Sequence, residues 1–226
     1  MERIDDLQCR GLRLIQDSEK FCFGCDAVEL ANFVEGTKND KAVDMGSGNG
    51  IITILLAGKK GIPTTAVEIQ PELCALAQRN IELNALTNMA KAVCTSMQEY
   101  ANSNKASATI VVCNPPYRKV GSGFMQENDF IAAARHEIFV TLKEVVESAS
   151  KLLSTGGKFY MVLPTERLAE AMAYCVKYAL EPKVLQILTP NEKKQPHLFL
   201  LKCLKDGKTG LDVLKERPVK AFGMEE

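Results

Sequence analysis

The amino-acid sequence predicts an α/β protein built on a doubly wound, mostly parallel sheet. Three observations carry this. From Lys41 onward, short β-branched or apolar runs alternate with amphipathic ones, the pattern of parallel strands joined by crossover helices. The first of these strands runs directly into a glycine-rich loop, "VDMGSGNG", and then into a helix. The last two apolar runs have only a short connection containing Pro190 and Asn191, which suits an antiparallel hairpin better than a crossover. Together these give a Rossmann-like sheet of seven strands, with one antiparallel strand in a C-terminal hairpin.

Taken in order, residues 1–40 read as an N-terminal arm of the same domain, a strand pair and a helix, and 41–226 as the core. Asp26 reads first as the N-cap of a helix from Ala27 to Val34. "KAVDM" is the first core strand, and a helix from about Ile51 to Lys59 follows the glycines. "TTAVEI" leads into a helix opened by Pro71, a favoured first-turn residue, with Leu73, Leu76, Ala77 and Ile81 on one face. "AKAVC" and "ATIVVC" are the third and fourth strands. After them, Ile138, Leu142, Val145, Val146, Ala149, Leu152 and Leu153 repeat at helical spacing until Gly156 and Gly157 stop the helix. "KFYMVL", a helix carrying Leu168, Met172, Cys175 and Val176, "KVLQIL" and "LFLLKCL" complete the set.

Composition narrows the class. The chain has 226 residues, 46% apolar and 25% charged, enough for one domain with a full core. No run approaches a membrane span, and Met1 to Arg10 is too polar to open a signal peptide, so the expectation is a cytoplasmic protein with no membrane partner. Its eight cysteines mostly fall inside apolar runs, as buried reduced thiols do. Cys22 and Cys25 form the one CxxC. With no second pair and only His136 and His197 as further ligands, no metal is expected. The 28 basic residues balance the 28 acidic ones, so no global field advertises nucleic acid. Lys193, Lys194, Lys202, Lys205 and Lys208 form a local basic run, readable as a solvated face or as a contact with RNA.

The glycine loop and its acidic neighbours suggest a ligand. Gly46, Gly48 and Gly50, with Ser47 between the first two, follow a strand and precede a helix, where backbone can approach a ligand closely. Asp44 stands two residues before the first glycine. A carboxylate there would repel the pyrophosphate of a dinucleotide but suits the ammonium of an amino-acid-like ligand. Glu68 ends the second core strand, 18 residues after Gly50, where an acidic side chain can accept ribose hydroxyls. Ammonium plus ribose describes S-adenosylmethionine, whose product after methyl transfer is S-adenosylhomocysteine.

The fourth core strand ends in "NPPY", Asn114 to Tyr117. Neither proline can continue a sheet ladder, so the strand must stop at this point. In an open parallel sheet the first and fourth strands flank the point where strand order reverses, so this motif and the glycine loop should meet. The Asn114 amide oxygen is one acceptor. The carbonyl of Pro115 is another, released from ladder duty because Pro116 has no N–H. Two acceptors suit an NH2 group, and Tyr117 can stack on the planar group that carries it.

These residues together resemble the class I S-adenosylmethionine-dependent methyltransferases of the NPPY type, which act on adenine amines, guanine amines or glutamine amides. More closely, the chain is similar to the bacterial tRNA(Val) adenine-N6 methyltransferase family, along "GLRLIQ", "FCFGCDAVELANFV", "VDMGSGNGIITILLA", "VEIQPELCALAQRNIELN", "NPPY", "ARHEI" and "GKTGLDVL". The resemblance implies methylation of an unpaired adenine beside the anticodon of tRNA. It implies cofactor contacts from Asp44, Gly46, Gly48, Glu68 and Ile69, with Ser96 and Met97 beside the adenine ring and Asp26 near the methionine end. It assigns the target amine to Asn114 and Pro115 and the base stack to Tyr117. The family often has aspartate where Ser96 stands, and His136 reads as a solvated histidine or an RNA contact.

Three alternatives stay open. Guanine amines in RNA and protein glutamine amides fit the motif equally, although a glutamine methyltransferase calls for a larger helical domain before the glycine loop than about 40 residues supply. DNA is not expected as a partner, because reading and flipping a base from a duplex usually needs a sizeable recognition domain. A non-catalytic RNA-binding or NAD-binding module is the reading from a different class.

Overall fold

Alternating buried strands and one-sided helices give the chain two apolar layers around one sheet. The computed structural model describes residues 2–17, 24–115, 140–190 and 195–219. β1 (Glu2–Asp6) and β2 (Arg13–Asp17) form a separate antiparallel hairpin with Ile4 opposite Ile15. α1 (Cys25–Phe33) follows. The core then runs β3 (Ala42–Met45), α2 (Ile51–Ile54) with a π turn to Lys59, β4 (Thr64–Glu68), α3 (Pro71–Leu83), β5 (Ala90–Cys94), α4 (Met97–Ser103) and β6 (Ala108–Cys113). It closes with α5 (Leu142–Leu152), β7 (Leu153–Pro164), a short 3₁₀ turn, α6 (Leu168–Lys177), β8 (Leu180–Thr189), β9 (Leu198–Lys205) and β10 (Asp212–Pro218).

The large sheet has the order β10-β8-β9-β7-β6-β3-β4-β5. Among the described residues, β9 alone runs against the other seven strands, pairing antiparallel with β7 and β8. The predicted fold class therefore holds. An eighth strand, β10, adds to the sheet beside β8 as a parallel edge. A second difference lies at Gly156 and Gly157, which do not stop the preceding helix. α5 starts at a Thr141/Glu144 capping box and ends at Leu152, and the glycines lie inside β7. The β6–β7 register shifts between Ala108 and Ile110 where this segment begins to pair, and Gly156 takes φ +79°, a bulge-like geometry that suits glycine.

Strand periodicity divides the core between the two faces. Ile110, Val112, Tyr160 and Val162 face Leu30, Ile54, Leu56 and Ile81 from α1 to α3 and the π turn. Val111, Cys113, Phe159 and Met161 face Val145, Val146, Ala149 and Cys175 from α5 and α6. Each Val, Leu, Ile, Phe or Met among these, fully buried, contributes about 1.5–3 kcal/mol of transfer free energy. β10 is tied across the sheet end to α1: both oxygens of buried Glu29 accept from Arg217, at 3.2 and 2.6 Å. Removing Arg217 would take a charge partner from a buried carboxylate.

β3 has β4 on one side and β6 on the other, with Asp44 level with Ala66 and Val112. The chain winds outward in both directions from β3, so the loops leaving β3 and β6 open onto one crevice.

Candidate cofactor and catalytic site

The glycine loop is built onto the end of β4. The N–H groups of Gly46 and Ser47 both donate to the carbonyl of Val67, at 2.8 and 3.1 Å. Gly46, Gly48 and Gly50 all have left-handed φ, at +69°, +55° and +85°. At Gly50 a Cβ would stand 3.1 Å from the Cβ of Ala77, so glycine lets the loop press against α3. At Gly48 a Cβ would meet nothing within 4 Å. Among the described residues the packing thus leaves the space beside that residue open, where a ligand would approach the backbone.

Two carboxylates flank the loop. Asp44 is buried, and its Oδ2 accepts from the Thr53 N–H at 3.1 Å and the Thr53 hydroxyl at 2.8 Å. Its Oδ1 has no hydrogen-bond partner among the described residues, and neither have Ser47 Oγ and Asn49 Nδ2. Three orphaned buried polar atoms along one loop are a cost of about 1–3 kcal/mol each unless something outside the chain satisfies them. Burial pushes the Asp44 carboxyl up to about 7, with the Thr53 bonds pulling the other way. Glu68, also buried, accepts the Gly48 N–H on Oε2 at 2.9 Å and the Gln70 N–H on Oε1 at 3.0 Å. Its carboxylate is thereby fixed at the crevice edge, and each oxygen keeps acceptor capacity for a ligand. This donor set fits an ammonium at Asp44 and a vicinal diol at Glu68, the polar ends of S-adenosylmethionine.

The residues expected beside the adenine ring divide. Ile69, directly after β4, is 43% exposed despite its apolar side chain. Met97 opens α4 and reaches the loop, its Cε 3.9 Å from where a Cβ on Gly46 would stand. Ser96 is the N-cap of α4; its hydroxyl accepts from the Glu99 N–H at 3.2 Å and donates to the Glu99 carboxylate at 3.0 Å. That hydroxyl is committed to its helix.

At the end of β6, the Cys113 thiol donates to the Met45 carbonyl at 3.2 Å, joining the two strand ends. Burial raises that thiol well above its ordinary range, which keeps the proton it donates. Asn114 follows, its Nδ2 donating to Asp26 Oδ2 at 3.2 Å. Asp26 is therefore not the N-cap of α1. The helix starts earlier, at Cys25, and its cap is Gly24, whose backbone is extended and which makes no side-chain cap bond. Pro115 is buried beside Asn114. Pro116, Tyr117, His136 and Cys22 lie outside the described residues, while Cys25 is exposed at the start of α1. Among the described residues, no group of three His, Cys, Asp or Glu is placed to hold a metal ion.

Lys202 and Lys205 of the basic run do not face this crevice, while Lys193 and Lys194 lie outside the described residues. β9 is antiparallel, with Leu198 level with the end of β7 and Lys205 level with the start of β8, so Lys205 sits at the far end of the sheet. Lys202 is paired with Glu35 at 2.6 Å, and Lys205 donates to Ser150 at 2.9 Å. Two contributors lacked any sequence signal read above. Thr53 holds Asp44 from the third position of α2. Asn80 is fully buried on the apolar face of α3, and an asparagine between Ala77 and Ile81 was the signal that could have found it.

Residues 27–181 match the methyltransferase small domain family. Among curated proteins, the chain is 28% identical over 183 residues to the tRNA1(Val) (adenine(37)-N6)-methyltransferase of Shewanella woodyi, covering 78% of this chain and 74% of that one. It is 29% identical over 180 residues to the enzyme of the same name from Erwinia tasmaniensis, covering 79% and 73%. Among solved structures it resembles a predicted O-methyltransferase from Agrobacterium tumefaciens, with TM-score 0.68, 19% identity and 86% of each chain covered. It also resembles geranyl diphosphate C-methyltransferase from Streptomyces coelicolor in complex with S-adenosyl-L-homocysteine, with TM-score 0.59, 12% identity and 79% and 76% covered. At these identities the solved structures speak to the fold.

Proposed function

Because the chain belongs to the methyltransferase small domain family, we propose that it transfers the methyl group of S-adenosylmethionine to the exocyclic N6 of an unpaired adenine in tRNA, beside the anticodon of tRNA(Val). The observation that carries the site is the convergence of the two strand ends. The glycine loop with Asp44 and Glu68, and Asn114 with Pro115, open onto one crevice between β3 and β6. Such a substrate places the protein in the cytoplasm. Among the described residues no helix is long and apolar enough to cross a membrane.

When bound, the cofactor supplies a methyl group activated by its sulfonium charge. Asp44 Oδ1 receives the ammonium of its methionine end, Glu68 the ribose hydroxyls, and Ile69 and Met97 line the adenine, with Ser96 at the same edge. The loop N–H groups and the open side of Gly48 admit the ligand close to the backbone. Asn114 Oδ1 and the Pro115 carbonyl accept the two hydrogens of the target amine. Both interactions strengthen as positive charge develops on nitrogen, which stabilises the transition state more than the ground state. Tyr117 holds the base by stacking on its face. The methylated cation is acidic enough to lose its proton to water, so no strong base is required of the chain.

The test is to incubate bulk tRNA from a strain lacking this protein with enzyme and labelled S-adenosylmethionine, then digest to nucleosides. Label in N6-methyladenosine is the expected result. Label only in N2-methylguanosine, or only in protein, overturns the adenine assignment.

A further inference from the structure

The N-terminal hairpin is held to the core by two asparagines of α3 that stand in for a neighbouring strand. Asn80 accepts the Ile15 N–H on Oδ1 at 2.7 Å and donates from Nδ2 to the Ile15 carbonyl at 3.1 Å. One turn later, Asn84 accepts the Arg13 N–H at 2.8 Å and donates to the Arg13 carbonyl at 2.7 Å. The geometry explains the match. Residues four apart on a helix rise about 6 Å, and residues two apart on a strand advance about 6.8 Å. A primary amide carries the same donor and acceptor as a peptide, so each asparagine satisfies one outward-facing residue of β2.

The two differ in one bond. Asn80 Nδ2 has a second hydrogen, which it gives to the carbonyl of Asn49 in the glycine loop at 2.9 Å. Asn84 makes its remaining bond within its own helix, to the Asn80 carbonyl at 2.7 Å. Asn80 is therefore the point where β2, α3 and the loop between Gly48 and Gly50 are joined, and it is fully buried there. A loop with three left-handed glycines is entropically costly to order, because glycine gives up more backbone freedom than any other residue. A fixed carbonyl at Asn49 removes part of that freedom before any ligand arrives.

We propose that Asn80 is a positioning residue that makes the N-terminal hairpin part of the S-adenosylmethionine site, by holding the Asn49 peptide of the glycine loop against β2. The inference rests on the cofactor reading above. Coupling of this kind is reciprocal: if the docked hairpin orders the loop, a ligand that orders the loop must protect the hairpin.

The experiment combines calorimetric titration with S-adenosylmethionine and residue-resolved amide hydrogen exchange. Asn80→Ala and Asn84→Ala each remove two bonds to β2, but only the first removes the bond to the loop. The expected result is an affinity about tenfold weaker for Asn80→Ala and within about twofold of wild type for Asn84→Ala. Exchange measured on the unmodified protein keeps the test independent of whether Asn80→Ala folds. Saturating cofactor should slow exchange of the Ile15 amide, and slow that of the Arg13 amide less. Equal weakening by both substitutions, or an Ile15 amide indifferent to cofactor, overturns the proposal. Wild-type protein that fails to bind S-adenosylmethionine overturns the cofactor reading itself, an outcome distinct from binding without coupling.

Discussion

Asn114 and Asp26, 88 positions apart in sequence, meet through a 3.2 Å hydrogen bond from the asparagine Nδ2 to the aspartate Oδ2. A carboxylate can only accept, so this contact decides which end of the Asn114 amide faces α1 and turns the acceptor oxygen the other way. Asp26 thus acts through Asn114 more directly than as a helix cap. Asp26→Ala should lower the single-turnover methylation rate roughly 10- to 100-fold, as loss of a charge-assisted hydrogen bond of about 1.5–3 kcal/mol does. Asp26→Asn still offers an oxygen and should retain most of the rate. The check is rapid-quench kinetics at saturating cofactor beside calorimetry. A change in cofactor affinity with an unchanged rate would return Asp26 to the methionine end of the cofactor.

The glycines at positions 48 and 50 share a left-handed backbone but answer to different neighbours. Gly50→Ala drives a Cβ to 3.1 Å from Ala77 Cβ and 3.3 Å from its Cα, in addition to the backbone strain of about 1–2 kcal/mol. Among the described residues, Gly48→Ala meets only that strain. Thermal unfolding should therefore show the larger loss for Gly50→Ala. Cofactor binding should fall further for Gly48→Ala than its stability loss explains. Equal affinities for Gly48→Ala and wild type would remove Gly48 from the ligand's path.

The legible parts of this fold are those where burial alone dictates the residue type. β3, β4 and β6 are covered on both faces, so they read as short runs of mostly apolar and β-branched residues, and Pro71 announced α3 by its fixed φ. β10 was not legible. It lies at the sheet edge with Val213 65% and Leu214 43% exposed, and Lys215, Glu216 and Arg217 break any alternation. Its strand character comes from backbone pairing with β8 and from the Arg217–Glu29 bridge, neither visible locally. At the site, Asp44, Glu68 and Asn114 were readable because a charged or polar residue at the end of an apolar strand has few structural uses. Asn80 was missed because its polar side chain on an apolar helix face marks a buried bond but not the partner, and a long-range side-chain-to-backbone bond leaves no trace of what it reaches. Asp26 was misplaced by one competing rule: glycine also serves as an N-cap, and Gly24 precedes it.

The pH dependence of stability should carry the signature of Asp44. Its carboxyl ionises near 3.8 when solvated and near 7 in the fold, chiefly because of burial. Between these values the folded protein holds a proton that the unfolded chain has released. Stability from this group is therefore complete below about pH 4 and is lost as pH rises through 7. Asp44→Asn abolishes the effect, so its stability relative to wild type should improve from pH 4 to pH 8 in chemical denaturation. Cofactor binding responds in the opposite sense, since an ammonium needs the ionised carboxylate. Wild-type affinity should weaken as pH falls below 7, with a proton released on binding near pH 6. Calorimetry in buffers of different ionisation enthalpy reads that proton, and a wild type that releases none there would separate Asp44 from the ammonium.

The last prediction concerns Tyr117 and the kind of RNA the site accepts. If the ring stacks on an unpaired adenine, its π face matters and its hydroxyl does not. Tyr117→Phe should keep most activity, whereas Tyr117→Ala should lose about 1–3 kcal/mol of base binding, seen mainly as a higher tRNA concentration for half-maximal single-turnover rate. The charge balance sharpens this. The protein has no net charge, Lys202 is paired with Glu35, and Lys205 lies at the end of the sheet away from the crevice. With its charges balanced, the protein has little long-range pull on nucleic acid irrespective of shape, so recognition is expected to come from the folded tRNA presenting its base. An anticodon-loop oligonucleotide should be a much poorer substrate than the whole tRNA, and raising salt should weaken binding with the shallow slope of a few phosphate contacts. Tyr117→Phe as inactive as Tyr117→Ala would sink the stacking role. An oligonucleotide methylated as well as intact tRNA would sink the requirement for the folded molecule.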